Sequence, residues 1–215
     1  MSDGRHERSR RTRRKIVIAA TELFVRDGYG SSSIAAIAAR AGVAVQTVYA
    51  AFGTKHAILA AALDQAIAGD DAEIVVNARD WMREVFEAPT STARLTAYAG
   101  AVRRIMTGAG DMFRVVASAA TVDPELVDLA ETTERRRRAG ARSIIASVLT
   151  VGVLRDGLDP ERAADILALL NSPATFHHLV RVSNWSLDDY QQWLGDTMIR
   201  ELLPRQTPRS GLRSK

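Results

Sequence analysis

Cysteine is absent from the 215 residues. That excludes a disulfide scaffold, zinc sites built on thiolates and thiol catalysis. Long hydrophobic runs are absent too. The longest mostly apolar stretch, residues 144–154, is interrupted by Ser147, Thr150 and Gly152 and falls far short of a bilayer span. The first residues carry arginine with no apolar run, so no secretion signal is expected and a cytoplasmic location is. No phosphate-cradling P-loop, nucleophile elbow or paired-histidine zinc motif occurs, and Gly108-Ala109-Gly110 is too slight for a nucleotide loop. His177 and His178 are adjacent, hence on different helix faces, with no carboxylate one turn away. No enzyme, no metal site and no cofactor is expected.

What is present is ordinary globular composition, 47% hydrophobic and 25% charged, with an uneven placement of charge. The net charge is +4. Residues 1–15 hold Arg5, Arg8, Arg10, Arg11, Arg13, Arg14 and Lys15 against only Asp3 and Glu7. The segment 204–215 adds Arg205, Arg209, Arg213 and Lys215 with no acid. The stretch between them is therefore acidic on balance. A basic arm on a mildly acidic body suits a polyanion bound at one end, or a solubilising tail.

Helical periodicity dominates, and no run of alternating apolar residues argues for a strand. Ile16, Ala19, Ala20, Leu23 and Phe24 form the stripe of an amphipathic helix, closed by Gly28. Ser31-Ser32-Ser33 offers caps for a second short helix that ends at Gly42. A third runs from about Val45 to Phe52, and Thr54 caps a fourth through Leu63. Residues 69–77 read as a connection, followed by a short helix around Trp81 to Phe86. The next helix, from the start at Pro89-Thr90-Ser91-Thr92, is expected to break at Gly108-Ala109-Gly110 and to resume from Met112 to Ala120. Asp123-Pro124-Glu125 and Asp159-Pro160-Glu161 each place a capping acid before a proline at the first helical position. They open long helices toward Val153 and Val182, the second interrupted at Ser172-Pro173, and Ser186 opens the last. The fold class is all-α, about nine or ten helices.

The segment 34–49 reads as a helix-turn-helix. Two short helices that cross closely need a small residue at the contact, which Ala38 supplies; the tight turn needs a residue tolerant of positive φ, which Gly42 supplies. Val43 and Val48 close a small core with Ile37 opposite. At 100° per residue, Gln46 and Ala50 then point away from that core, flanked by Thr47 and Tyr49. This face suits the major groove, where glutamine reads adenine bidentately and threonine or tyrosine meets a phosphate or a thymine methyl. The alternative is an alanine-rich helical hairpin with no role in DNA binding.

Over residues 12–64 the sequence resembles the TetR family of transcriptional regulators. The resemblance lies in Ile16-x-x-Ala19-Ala20-x-x-Leu23-Phe24-x-x-x-Gly28-Tyr29, in Ser33-Ile34-x-x-Ile37-Ala38-x-x-Ala41-Gly42-Val43, and in Val48-Tyr49-x-x-Phe52-x-Thr54-Lys55-x-x-Ile58-Leu59. It implies an all-α homodimer whose first three helices bind a double-stranded, near-palindromic operator and whose body senses a small molecule. Position by position, it places DNA contacts at Ser33, Val45, Gln46, Thr47, Tyr49 and Lys55. Ala44 departs from the pattern, because many members carry a capping serine or threonine there; Ala50 and Ala51 also replace bulkier residues. Arg10, Arg11, Arg13 and Arg14 are then expected to reach phosphates or the adjacent minor groove, compensating for a lightly equipped recognition helix.

The expected organisation is a basic arm (1–14), a DNA-binding head (15–57), an effector-binding and dimerisation body (58–203) and a basic tail (204–215). The run Arg135 to Arg138 splays around a helix and is preceded by Glu131 and Glu134, so a solvated face is expected. The last two long helices, with Ala163, Ala164, Ile166, Leu167, Leu169 and Leu170 and then Trp185, Tyr190 and Trp193, suit a dimer interface; an internal core is the competing reading. The resemblance also implies an effector pocket, for which Tyr98, Met106, Met112, Phe113 and Phe176 are candidates by apolar character alone. A plain packed core explains those five equally well. The expected function is a repressor released by a ligand, against a helical enzyme or ligand-binding protein whose helix-turn-helix is only structural.

Overall fold

The computed structural model describes residues 3–69, 76 and 79–205. Most of the expected connection at 69–77, and the basic tail beyond Arg205, lie outside the described residues. Every regular element among those described is helical. In chain order they are α1 (Asp3–Asp27), α2 (Ile34–Ala41), α3 (Val45–Phe52), α4 (Lys55–Ala68), α5 (Asp80–Glu87) and α6 (Ser91–Ala120). A single 3-10 turn (Pro124–Leu126) leads into α7 (Val127–Leu149), followed by α8 (Pro160–Leu170), α9 (Pro173–Phe176) and α10 (Leu187–Leu202). A π-helical turn, His177–Val182, continues α9.

Two apolar cores organise these helices. The first is built on the stripe of α1 (Ile16, Val17, Ala20, Leu23, Phe24) with Ile37, Ala38 and Val48 of the hairpin and Ile58, Leu59, Ala62 and Leu63 of α4. It is completed by Met112, Val116 and Ala119 near the end of α6 and by Leu126. The second holds Leu95, Tyr98, Val102 and Met106 of α6 against α5, α7, α8, α9 and α10. The 30-residue α6, about 45 Å long at 1.5 Å per residue, is thus shared by both. The expected boundary at 57/58 falls inside α4, whose buried face belongs to the same core as the head.

The chain does not break at Gly108-Ala109-Gly110, and α6 continues through to Ala120. These glycines serve close approach instead. A Cβ on Gly108 would stand 2.9 Å from the Ala66 carbonyl oxygen of α4, and one on Gly110 would stand 3.2 Å from the Phe176 ring. The loss of helix propensity, about 1 kcal/mol per glycine, is offset by packing that a side chain would block.

Asp123-Pro124-Glu125 forms only the 3-10 turn before α7, and α7 ends at Leu149 rather than near Val153. Its last carbonyls are met by a buried arginine. Arg94 donates to the Ser147 carbonyl at 2.5 Å and to the Ser147 and Thr150 hydroxyls at 2.8 and 2.9 Å. At Ser172 the helix is re-capped as expected: α8 stops at Leu170, and the Ser172 hydroxyl accepts from the Thr175 N–H at 3.1 Å. No single described helix is long and apolar enough to cross a membrane.

Candidate nucleic-acid interface and effector cavity

The hairpin is assembled by the residues that its chemistry requires. Ser33 caps α2, its hydroxyl accepting from the Ala36 N–H at 3.1 Å. Gly42 adopts φ +67° and terminates α2 with its own N–H on the Ala39 carbonyl and the Val43 N–H on the Ala38 carbonyl. That left-handed turn swings α3 to 105° from α2, within the range of helix-turn-helix motifs. Ile37, Ala38 and Val48 are buried beneath it. Ala44 makes no side-chain cap, which leaves the first N–H groups of α3 without that partner.

The face turned outward is the one expected. Gln46 and Ala50 are exposed, Val45 and Thr47 are half-buried, and Tyr49 is 51% exposed despite its size. Tyr49 lies midway along α3, whereas the other aromatic of that helix, Phe52, is half-buried.

The basic residues are less uniform than their sequence suggests. Residues 3–14 prolong α1 as helix, so the four arginines fan out around an axis. Arg13 donates to the Ala51 carbonyl, and its guanidinium lies 4.1 Å from the Phe52 ring centroid. It therefore fastens α1 to the end of α3. Arg10, Arg11 and Arg14 are exposed side chains on the same helix. Lys55, expected at a phosphate, donates to the Tyr29 carbonyl at 2.7 Å, with its ammonium 3.9 Å from the Tyr29 ring centroid. Burial lowers its pKa, against the pull of Asp123.

Beside it lies a junction that the sequence did not reveal. His56 follows Lys55 in α4 and stacks on Tyr29, with ring centroids 6.1 Å apart. Its Nε2 is 3.1 Å from Asp123 and its Nδ1 is 3.0 Å from Glu125, both on the 3-10 turn after α6. Burial, then the charges of Asp123 and Glu125, push the Tyr29 phenol up to about 12. His56 thus ties α4, at the edge of the head, to the turn that follows α6.

A cavity of about 660 Å³ opens between α4, α5, α6 and α7. Tyr98, Met106 and Phe113 are among its lining residues, together with Leu63, Ile67, Met82, Phe86 and Val102. Met112 and Phe176 are not. Met112 is 1% exposed in the head core, and Phe176, 2% exposed, packs edge-on to Tyr190 with ring centroids 5.1 Å apart. Among the wall residues that sequence reasoning missed are two polar ones, Arg137 and Asn171. Arg137 is one of the four consecutive arginines. Arg135, Arg136 and Arg138 are open side chains paired with Glu131, Asp64 and Asp165, whereas Arg137 is only 15% exposed. Glu134 one turn before it was the available signal.

The fold and the hairpin define a class: all-helical proteins with an N-terminal DNA-reading head and a hollow helical body. Residues 16–62 match the family model of bacterial regulatory proteins, tetR family, so the head is a domain of that family. No curated protein matches the chain in sequence. Among solved structures, NalD, the secondary repressor of the MexAB-OprM multidrug efflux pump in Pseudomonas aeruginosa, superposes with TM-score 0.67 at 22% identity, over 90% or more of both chains (94% of this one and 100% of NalD). A Saccharomonospora viridis protein assigned to the transcriptional regulators and solved in complex with choline gives TM-score 0.66 at 22% identity, over 90% of this chain and 98% of the other. A transcriptional regulator from Rhodococcus sp. Rha1 gives 0.60 at 15%, over 88% and 97%. The likeness extends across head and body, so the chain shares the fold of these proteins over nearly its whole length.

Proposed function

We propose that this protein is a cytoplasmic repressor that binds a near-palindromic operator as a homodimer and leaves it when a small molecule enters the body cavity. The observation that carries this reading is the double use of α4. Ile58, Leu59, Ala62 and Leu63 face the core of the head, while Ala60, Leu63, Asp64 and Ile67 line the cavity. A ligand that changes the spacing of α4 from α6 and α7 therefore acts on the helix against which the hairpin is packed. Interiors are close-packed, so such a shift passes to α1 and α3 rather than being absorbed.

In this reading Gln46, Thr47 and Tyr49 enter the major groove, Ser33 and Val45 approach the phosphates at its edge, and the uncapped start of α3 offers its N–H groups to an anion. Arg13 and Lys55 position α3 and α4 through their present partners. The dimer forms through the last long helices. In support, Leu169 is 69% exposed on α8, and Trp185 and Trp193, half-buried and packed edge-on with centroids 5.9 Å apart, flank the start of α10. Ala163, Ala164, Leu167 and Tyr190 lie instead in the chain's own core.

The test is a mobility shift with the DNA upstream of the protein's own gene. The purified chain is expected to retard that fragment, and Gln46→Ala should cost about 1–3 kcal/mol of discrimination for one base pair. Retardation of every fragment alike by both proteins would leave the helix-turn-helix without a reading role.

A further inference from the structure

One wall of the cavity carries a hydrogen-bond relay whose direction is forced. Arg137 can only donate. Its Nη1 donates to the Asn171 side-chain oxygen at 2.5 Å and to the Ala168 carbonyl at 2.6 Å. The Asn171 amide is therefore oriented with its oxygen toward Arg137, and its NH2 donates to the Tyr98 hydroxyl oxygen at 2.7 Å. Tyr98 is left as the acceptor of that bond, with its own O–H proton to place. No acceptor for that proton occurs among the described residues. The neighbouring phenol does not relieve the shortage: the Tyr190 hydroxyl, on a side chain with no exposed surface, has no partner among the described residues either. Burial pushes the Tyr98 phenol up to about 12, partly opposed by Asn171 and Arg137, so it remains a donor at neutral pH.

The charges around the cavity are already spent on each other. Glu134 takes Arg137 through both carboxylate oxygens, at 3.0 and 3.1 Å, and Arg136 pairs with Asp64 across the mouth at 3.5 Å. Thr132 accepts from Arg135, and Thr133 donates to the Leu129 carbonyl. An ionised ligand would leave water for an apolar chamber with no free counter-charge among the described residues, which is costly. The volume, about 660 Å³, suits a molecule of drug-like size.

We propose that the cavity selects an uncharged, largely apolar molecule bearing a hydrogen-bond acceptor, such as a ketone, lactone or ether oxygen, which takes the Tyr98 O–H proton at the end of the Arg137–Asn171–Tyr98 relay. The proposal rests on the cavity being the effector site and adds the chemistry that it recognises. Tyr98 is the specificity-determining contact; Asn171 and Arg137 are positioning residues that act through it.

The experiment uses the full chain and four naphthalene probes of similar shape: acetylnaphthalene (neutral acceptor), ethylnaphthalene (no acceptor), naphthoate (anion) and naphthylmethyl-trimethylammonium (cation). Affinities are read by calorimetry and by thermal shift. Acetylnaphthalene is expected to bind about threefold to tenfold more tightly than ethylnaphthalene, the value of one neutral hydrogen bond, and both more tightly than either ion. Tyr98→Phe should abolish the preference for the ketone over ethylnaphthalene. Asn171→Asp gives a second reading with the phenol still present: its carboxylate accepts the Tyr98 proton, so the ketone again loses its advantage. Equal binding of ketone and hydrocarbon by the wild type, tighter binding of either ion, or binding of no probe overturns the proposal. Operator release is assayed in parallel. A selectively bound ketone that fails to release DNA supports this ligand class and counts against ligand release, whereas release by all four probes alike overturns the ligand class and leaves that function standing.

Discussion

At the scale of single residues, a few polar side chains tie the head to the body beside the apolar core that the two share. His56 sits between Asp123 and Glu125, and a neutral imidazole has only one N–H to give. The hydrogen bond from His56, aided by the Glu125 N–H and by the charges of His56 and Lys55, holds the Asp123 carboxyl below its ordinary value of 3.8. A carboxylate held below its unfolded value contributes stability that is present above that value and is lost as the pH falls through the lower, folded one. Asp123→Asn keeps an oxygen to cap Glu125 and removes only the charge. Thermal melts of the two proteins should therefore differ at pH 7, with the variant the less stable. The gap should narrow only below pH 3.8. A gap unchanged down to pH 2 would show that the charge of Asp123 contributes nothing to the junction.

At the scale of elements, two glycines in helix interiors separate propensity from packing. Gly140 in α7 has open space where a Cβ would stand, whereas Gly108 in α6 would place one 2.9 Å from a backbone oxygen of α4. Alanine at Gly140 is expected to stabilise by about 0.5–1 kcal/mol through helix propensity and reduced unfolded-state entropy. Alanine at Gly108 gains the same local term and meets the Ala66 carbonyl, which belongs to a backbone and cannot swing aside. Its net effect should be destabilising by about 1–2 kcal/mol, and urea melts of the two variants should shift in opposite directions. The same pair marks how far the sequence could be read. The hairpin was legible because all its requirements, a small residue at the crossing, a glycine at the turn and apolar side chains beneath, lie within one short stretch and are satisfied locally. The unbroken α6 was not, since nothing near Gly108 in the chain announces that α4 will lie against it. The cavity was half legible for the same reason. Tyr98, Met106 and Phe113 share one helix and its apolar stripe, but the polar wall brings Arg137 and Asn171 together from different helices. Arg137 looked like its three solvated neighbours because a run of four hides the one residue that turns inward.

At the scale of the whole molecule, the helical state of the arm narrows which charges reach DNA and turns the oligomeric state into a measurable slope. With α1 continuous through residues 3–27, 100° per residue places Arg10 about 60° from Arg13 and Arg11 about 160° from it. Arg13 points at the end of α3, so Arg10 lies on the flank near the recognition helix and Arg11 on the far side. On the proposed reading, Arg10 is therefore the residue of this pair placed to meet a phosphate. Each phosphate neutralised contributes about 0.9 to the slope of log affinity against log salt, and a two-fold dimer presents Arg10 twice. Arg10→Gln should lower the magnitude of that slope by about 1.8 if two protomers occupy the operator and by about 0.9 if one does, while Arg11→Gln should leave it nearly unchanged. Sedimentation at micromolar concentration gives an independent count of protomers to set against the slope. An equal loss from both variants would mean that the arm acts as a diffuse cloud of charge, and that the helical geometry of its arginines has no part in docking.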